Sequence, residues 1–353
     1  MKTIIEQIKT LDKKHWDYYS EIGKRNLQNP LTGPPQYEEF IRRYFETAGK
    51  LNILNEIGMQ VRDLYRPYHT CSIFFLGILI YYRTDLCKQV IKGRSKIGYK
   101  SFPFIWFLTS LYHDFGVAYE RNAKANNRLL NIEELKERFH IEFSLLDKKI
   151  EGICVPLFKL CKDYYKYRQK EMQSIDHGIL AGLVLFDRLV KNRRTRAQQR
   201  DDNLFWGEEL EMEYAQAAAA VATHNIWLPQ EPLARILYVK YRLDYLLNFP
   251  PVTSTQFPLL YILGIVDTID PVKIFTDDNP KLDVKEILNS ILISFKPKGI
   301  YFKNAPNSKL DFSLFTKKAI SLKDWLAVEI IVTKNTLRIT MLERYRLFRN
   351  SHR

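Results

Sequence analysis

The chain has 353 residues, 46% of them hydrophobic, and a formal net charge of +14. That length suffices for one large domain plus an extension. The longest apolar run, Cys71 to Tyr82, is shorter than the ~20 residues a membrane span needs, and MKTIIEQIKTLDKKHW has neither the apolar core nor the cleavage site of a signal peptide, so a cytoplasmic protein with no membrane partner is expected. In chain order, residues 1–66 read as helices interrupted by the Pro- and Gly-containing NPLTGPPQ at 29–36. From Tyr68 to about Asp270 the pattern is nearly all helix: apolar residues recur at three and four over 132–149, 153–171, 176–190, 208–225 and 232–247. Pro250-Pro251 and Pro258 bracket a loop. Beyond Pro271 the texture changes. ILISFKPKGIYFK reads as two short strands around a Lys-Pro-Lys-Gly turn, and AVEIIVTKNTLRITML as a hairpin turning near Lys334-Asn335. Between them Ser321 to Leu326 reads as a helical turn with Trp325. The expected fold is mainly α with a small β-rich C-terminal extension, in three segments: a helical 1–66, a helical domain 67–272 and a basic extension 273–353.

Four of the seven histidines fall in helical contexts that can be joined into one metal site: His69, His113 of a His-Asp doublet, His177 and His224, with Asp114 and Asp267 completing the set. Successive gaps of 44, 63, 47 and 43 residues put each on a different predicted helix. Each neighbourhood (HTCSIFFLGILIYY, FLTSLYHDFGVAYE, SIDHGILAGLVLFDRL, YAQAAAAVATHNIW, PLLYILGIVDTIDP) is an apolar helix, where a polar group without a partner is costly. Imidazole and carboxylate are ligands for first-row divalent cations, and an adjacent His-Asp pair can offer one ligand to each of two metals. Ser174 is the candidate N-cap of the His177 helix; Gly178, Ala181 and Gly182 permit close helix packing. A lone helical histidine is usually structural; it is the set that points to a metal.

The order H…HD…H…H…D resembles the HD superfamily of metal-dependent phosphohydrolases, with YHDFG, DHGILAGLVL, AVATHN and LGIVDTID similar to that family's helices one by one over residues 66–270. The resemblance implies an HD-type helical bundle and two divalent ions. In the family pattern His69, His113, Asp114 and Asp267 hold one ion, and Asp114 bridges to a second held by His177 and His224. It also implies a hydroxide shared by the ions that attacks phosphorus in line. Histidine-rich ligation favours Mn, Fe, Co or Ni over Mg. One departure is that the HD-GYP branch and many related nucleases carry Lys three residues after the doublet's Asp, where this chain has Val117.

Around this set, Glu120 is a candidate catalytic residue, near the reacting water or holding a ligand histidine in its tautomer. Arg66 and Arg121 flank ligand positions and are candidate phosphate contacts. Asn225 reads as a helix cap and Asp176 as a first-turn acid. Cys71, Cys87, Cys154 and Cys161 show no CxxC spacing and read as free thiols. Residues 281–353 hold 15 Lys and Arg against 6 Asp and Glu, and KNRRTRAQQR at 191–200 forms a second basic cluster. Such segments attract phosphate-rich ligands, which makes Arg193, Arg194 and Arg196 candidates for the rim of the site. The expected activity is hydrolysis of a phosphomonoester or phosphodiester in a phosphate-bearing small molecule, a nucleotide or nucleotide second messenger first. Two alternatives stand beside it: an HD-type nuclease on single-stranded nucleic acid, and a regulatory module that holds metal without turnover.

Overall fold

The computed structural model describes residues 1–18, 27–57, 66–88, 102–120, 129–150, 152–153, 155–199, 206–226, 228–229 and 231–342. The fold is mostly helical and centres on two helices with almost no polar face, α4 (Arg66–Arg83) and α5 (Phe102–Tyr112). Every residue of α5 is buried, as is α4 from His69 to Tyr81. A helix apolar all round is an interior helix. Preceding them are α1 (Ile4–Lys9), α2 (Tyr37–Thr47) and α3 (Leu51–Ile57), and α2 lays Phe40, Tyr44 and Phe45 onto Phe74, Phe75 and Phe107 of the central pair.

After α5 come the short α6 (Val117–Glu120) and α7 (Ile132–Arg138), then α8 (Leu157–Met172), α9 (His177–Gln199) and α10 (Leu210–Thr223). The helix expected over 132–149 stops at Arg138, because His140 takes φ 51 and Asp187 of α9 captures the backbone amides of Glu142 and Phe143 instead. The helix expected over 232–247 is two, α11 (Pro232–Lys240) and α12 (Asp244–Leu247), split where Arg242 adopts φ 60. Helices α13 (Pro258–Ile269), α14 (Pro271–Asp278) and α15 (Val284–Asn289) lead to the sheet.

The α9–α10 contact is built on small residues. A Cβ at Gly182 would stand 2.5 Å from the Ala218 carbonyl and 2.6 Å from the Ala222 methyl, so only glycine lets these helices approach as they do. Their closeness sets His177 and His224 with ring centroids 5.2 Å apart.

The sheet holds β1 (Lys2–Thr3), β2 (Ile291–Lys296), β3 (Gly299–Asn304), β4 (Val328–Val332) and β5 (Thr336–Met341), all antiparallel, in the order β1-β2-β3-β5-β4. Both hairpins expected from the sequence are present, and a 3₁₀ turn over Ser321–Asp324 precedes Trp325. Beyond these, the expected β-rich extension also contains the helices α14, α15 and α16 (Phe312–Ile320), and the sheet gains β1, which pairs Lys2 with Ile293 and Thr3 with Leu292. Trp325 packs on Gly264 of α13, joining the sheet segment to the helix that carries Asp267. No helix among the described residues is long and apolar enough to cross a membrane.

Candidate metal centre

Five helices each deliver one part of the cluster. His69 lies in the first turn of α4, just inside Pro67, and His113-Asp114 form the turn that follows α5. Gly116 lets that turn abut α9, since a Cβ there would stand 2.7 Å from the His177 Cα. His177 opens α9, His224 is the C-cap of α10, and Asp267 sits near the end of α13.

The ends of α9 and α10 are tied to each other. Asp176 is fully buried; its Oδ1 accepts the Ile179 amide at 2.8 Å and its Oδ2 accepts Asn225 Nδ2 at 2.7 Å. Asp176, and not Ser174, therefore caps α9, while His224 is the C-cap of α10 and Asn225 staples the two histidine-bearing ends together. Ser174 hydroxyl donates to carbonyls, including that of Ile175.

His69 Nε2 lies 3.1 Å from His113 Nε2 and 3.3 Å from Asp267 Oδ1. His113 Nε2 is 3.5 Å from the same Asp267 oxygen. Asp114 divides its two oxygens: Oδ2 is 3.4 Å from His113 and 3.7 Å from His69, and Oδ1 is 3.6 Å from His177 Nε2. Two groups follow, His69-His113-Asp114 and Asp114-His177-His224, each with its ligand atoms within 4.8 Å of one another. Donor atoms about 2.1 Å from a single ion stand about 3.0–3.4 Å apart, close to these separations. Either group could hold a metal ion, and Asp114 belongs to both.

The outward nitrogens make the case for fit. His69 Nδ1 meets Asp270 Oδ2 at 2.8 Å, His113 Nδ1 the Ser110 carbonyl at 2.7 Å, His224 Nδ1 the Val221 carbonyl at 2.6 Å, and His177 Nδ1 the Glu120 carboxylate. A carbonyl cannot donate, so His113 and His224 must carry hydrogen on Nδ1, and when neutral they turn a bare Nε2 lone pair inward. Acceptor lone pairs 3.1–3.6 Å from one another and from carboxylates need positive charge between them. An acceptor behind each ring is the arrangement found around metal-bound histidines.

The electrostatics show how protons fill that need. Burial lowers the affinity of His69 for a proton, but hydrogen bonds to Asp267 and Asp270 outweigh it and raise its pKa to about 9. Burial likewise opposes the charged form of His177, and Glu120 raises it. His224 is pushed down to about 4 by burial and by the neighbouring His177. Asp114 and Asp267 stay well below the usual carboxylate range despite burial; His113 and Arg66 act on the first, Lys273 and the two histidines on the second.

Arg66 Nη1 is 2.6 Å from Asp114 Oδ2, and Lys273 Nζ is 2.6 Å from Asp267 Oδ1. Lys273 was not anticipated from the sequence, nor was Asp270, which takes His69 Nδ1 and the Ser72 hydroxyl while capping α14 through the Lys273 amide at 2.9 Å. The readable signal was Asp270-Pro271, an N-cap followed by proline at the first helical position. Glu120 stands behind His177, between it and Arg168 of α8, so its carboxylate points at the outward nitrogen and not at the inward cluster. We expect Glu120→Gln to weaken metal binding roughly 10–100-fold, read by competition with a chelating dye. Unchanged affinity would remove this positioning role.

The basic cluster at 191–200 lies elsewhere than the rim. Arg193 is about 24 Å along α9 from His177 at 1.5 Å per residue, and Arg193 and Arg194 both close on Glu211 at the opposite end of α10 from His224. Arg193 is buried and also donates to the Trp206 carbonyl. Its charge is spent joining α9 to α10. Arg196 is on the same helical run, a turn further from the cluster. Arg121, Cys154 and Arg200 lie outside the described residues, and Cys71, Cys87 and Cys161 are free thiols. No protein-family model, no curated protein and no solved structure matches the chain.

Proposed function

We propose that the protein is a metal-dependent phosphohydrolase of the HD type, cleaving a phosphomonoester or phosphodiester of a nucleotide or related small molecule. The supporting observation is Asp114, which turns one oxygen to each of two His-containing donor groups while all four histidines are held from behind. In this reading His69, His113, Asp114 and Asp267 hold one divalent ion, and Asp114, His177 and His224 a second. Such ions supply Lewis acidity at phosphorus and a water ionised near neutral pH. Histidine-rich donors suit Mn, Fe, Co or Ni better than Mg.

The chain's own residues account for the rest. Glu120 and Asp270 fix the orientation of His177 and His69. Arg66 and Lys273 each rest on a carboxylate oxygen that a metal would take. Once those oxygens are engaged, both cations are released beside the cluster, where they can bind the non-bridging oxygens of a phosphoryl group. They would do what a lysine at position 117 does in related domains; here Val117 is buried.

Purified, metal-analysed protein should hydrolyse one class among nucleotides, cyclic dinucleotides and single-stranded nucleic acids with added Mn, and lose activity to a chelator. Bound metal with no turnover of any of these would leave the regulatory module. Lys273→Met should raise KM about tenfold, as loss of a charged hydrogen bond does, and weaken inhibition by inorganic phosphate. It should also tighten metal binding, because a competing cation leaves Asp267. Weaker metal binding in this variant would show that Lys273 supports the centre and does not serve substrate.

A further inference from the structure

The outer side of α8 and the helix α11 present a surface that is both apolar and basic. Helix α11 buries only Tyr238, which packs on Tyr164 and Tyr167 of α8. Leu237 also packs inward, but the helix's other large aliphatic residues face outward: Leu233 is 69% exposed, Ile236 64% and Val239 57%. Spaced at three along the helix, they form one continuous apolar row. Exposed apolar residues scattered singly are ordinary, but a row of this kind marks an interaction site.

Cations collect at one end of the row. Lys240 stands one turn beyond Ile236, and with Arg242 it borders a depression shared with Lys159, Lys162 and Lys166 of α8. Asp163 pairs with Lys159, and Glu171 with Lys240. Lys162, Lys166 and Arg242 have no carboxylate partner among the described residues. The surface thus combines aliphatic side chains ready to leave water with uncompensated positive charge on long, flexible stems.

We propose that the α8–α11 face docks the protein on an anionic lipid surface, with Leu233, Ile236 and Val239 entering the headgroup–acyl boundary and the cations meeting lipid phosphates. A short helix with aliphatic residues on one face and Lys and Arg beside them is the chemistry of interfacial binding. Nucleic acid fits less well. It would leave the aliphatic row wet, and the neighbouring rings that could stack on bases, Phe158, Tyr241 and Tyr245, are already covered by Lys162, Lys240 and Lys159. The inner face of α8 carries Arg168, the partner of Glu120, so docking would hold the metal centre at a fixed depth from the membrane plane. This inference does not depend on the reaction at that centre.

The test is sedimentation with vesicles of equimolar phosphatidylglycerol and phosphatidylcholine, against pure phosphatidylcholine vesicles, read without turnover. The protein should partition onto the anionic vesicles alone, less so as salt rises. Leu233→Asn with Ile236→Asn should reduce partitioning about tenfold, and Lys162→Glu with Lys166→Glu should reduce it at least as much, at about fivefold per lysine. Val239→Trp should increase it, which keeps the test decisive should the asparagine pair unfold the helix. Circular dichroism and melting check the fold of each variant. Absence of vesicle binding, equal binding to neutral vesicles, or indifference to all three variants would overturn the proposal. So would loss of a labelled single strand from the Lys162→Glu, Lys166→Glu variant without any vesicle binding, which would assign the face to nucleic acid.

Discussion

Asp114→Ala is expected to strip metal from both halves of the centre, with a loss of affinity beyond the roughly 10–100-fold that follows removal of an outer partner. Its two oxygens face different histidines, Oδ2 towards His69 and His113 and Oδ1 towards His177. No other carboxylate joins both groups among the described residues. Metal content by mass spectrometry after gel filtration gives the result directly. Asp114→Asn, which keeps the shape and one acceptor oxygen, separates ligand loss from misfolding, and it matters here because Ala also takes the carboxylate away from the partly buried Arg66. The single-sided variants should divide. His177→Ala or His224→Ala should deplete one ion, His69→Ala or Asp267→Ala the other, as anomalous scattering would reveal. Full metal occupancy in Asp114→Ala would refute the shared-carboxylate assignment.

The second large effect is on pH. In the metal-free protein His69 holds its proton up to about pH 9, and a metal must displace that proton to use Nε2. Affinity should therefore rise about tenfold per pH unit through neutrality and level off near pH 9, with at least one proton released on binding. His224, neutral above about pH 4, adds nothing to this competition, whereas His177 adds a further proton dependence above its ordinary range. Calorimetry in buffers of different ionisation enthalpy counts the protons. Stability carries the matching sign. A raised His69 pKa stabilises the metal-free fold below its unfolded value of about 6.5, and that contribution is lost as pH rises through 9. Metal-free protein should melt lower at pH 9 than at pH 6.5, and metal-loaded protein should not share that fall. Metal affinity independent of pH between 6 and 9 would show that His69 does not ligate.

Much of the candidate centre was legible because ligands on apolar helices stand out against their surroundings. His69, Asp114 and Asp267 are polar groups in stretches with scarcely another, and each of the six expected ligands is in the cluster. Other parts are set by tertiary proximity, which spacing does not encode. Lys273 reaches Asp267 only because α13 ends and α14 begins at Asp270-Pro271, folding the chain back on itself. Arg168 reaches Glu120 from a helix far along the chain. The arginines of α9 misled for the opposite reason: a charge cluster adjacent in sequence to a ligand helix was read as adjacent in space, although a 23-residue helix separates its own ends widely. In the fold, amphipathic period marked where helices exist and could not mark where they break. His140 and Arg242, both at positive φ, end helices inside stretches whose apolar pattern continues unbroken. The sheet hairpins were visible from alternating β-branched residues, while β1, two residues long, carries no pattern to read.

That short strand has a consequence for how the chain folds. Residues 2 and 3 lie against 292 and 293, so covering this border of β2 requires two segments far apart in the chain to meet. Pairing across such a sequence separation comes late, since a long loop must close before the contact repays it. Until that contact forms, Leu292 and Ile293 stand on an uncovered strand edge, the kind of surface that recruits other chains. Lys2 and Thr3 act as the latch that closes this edge.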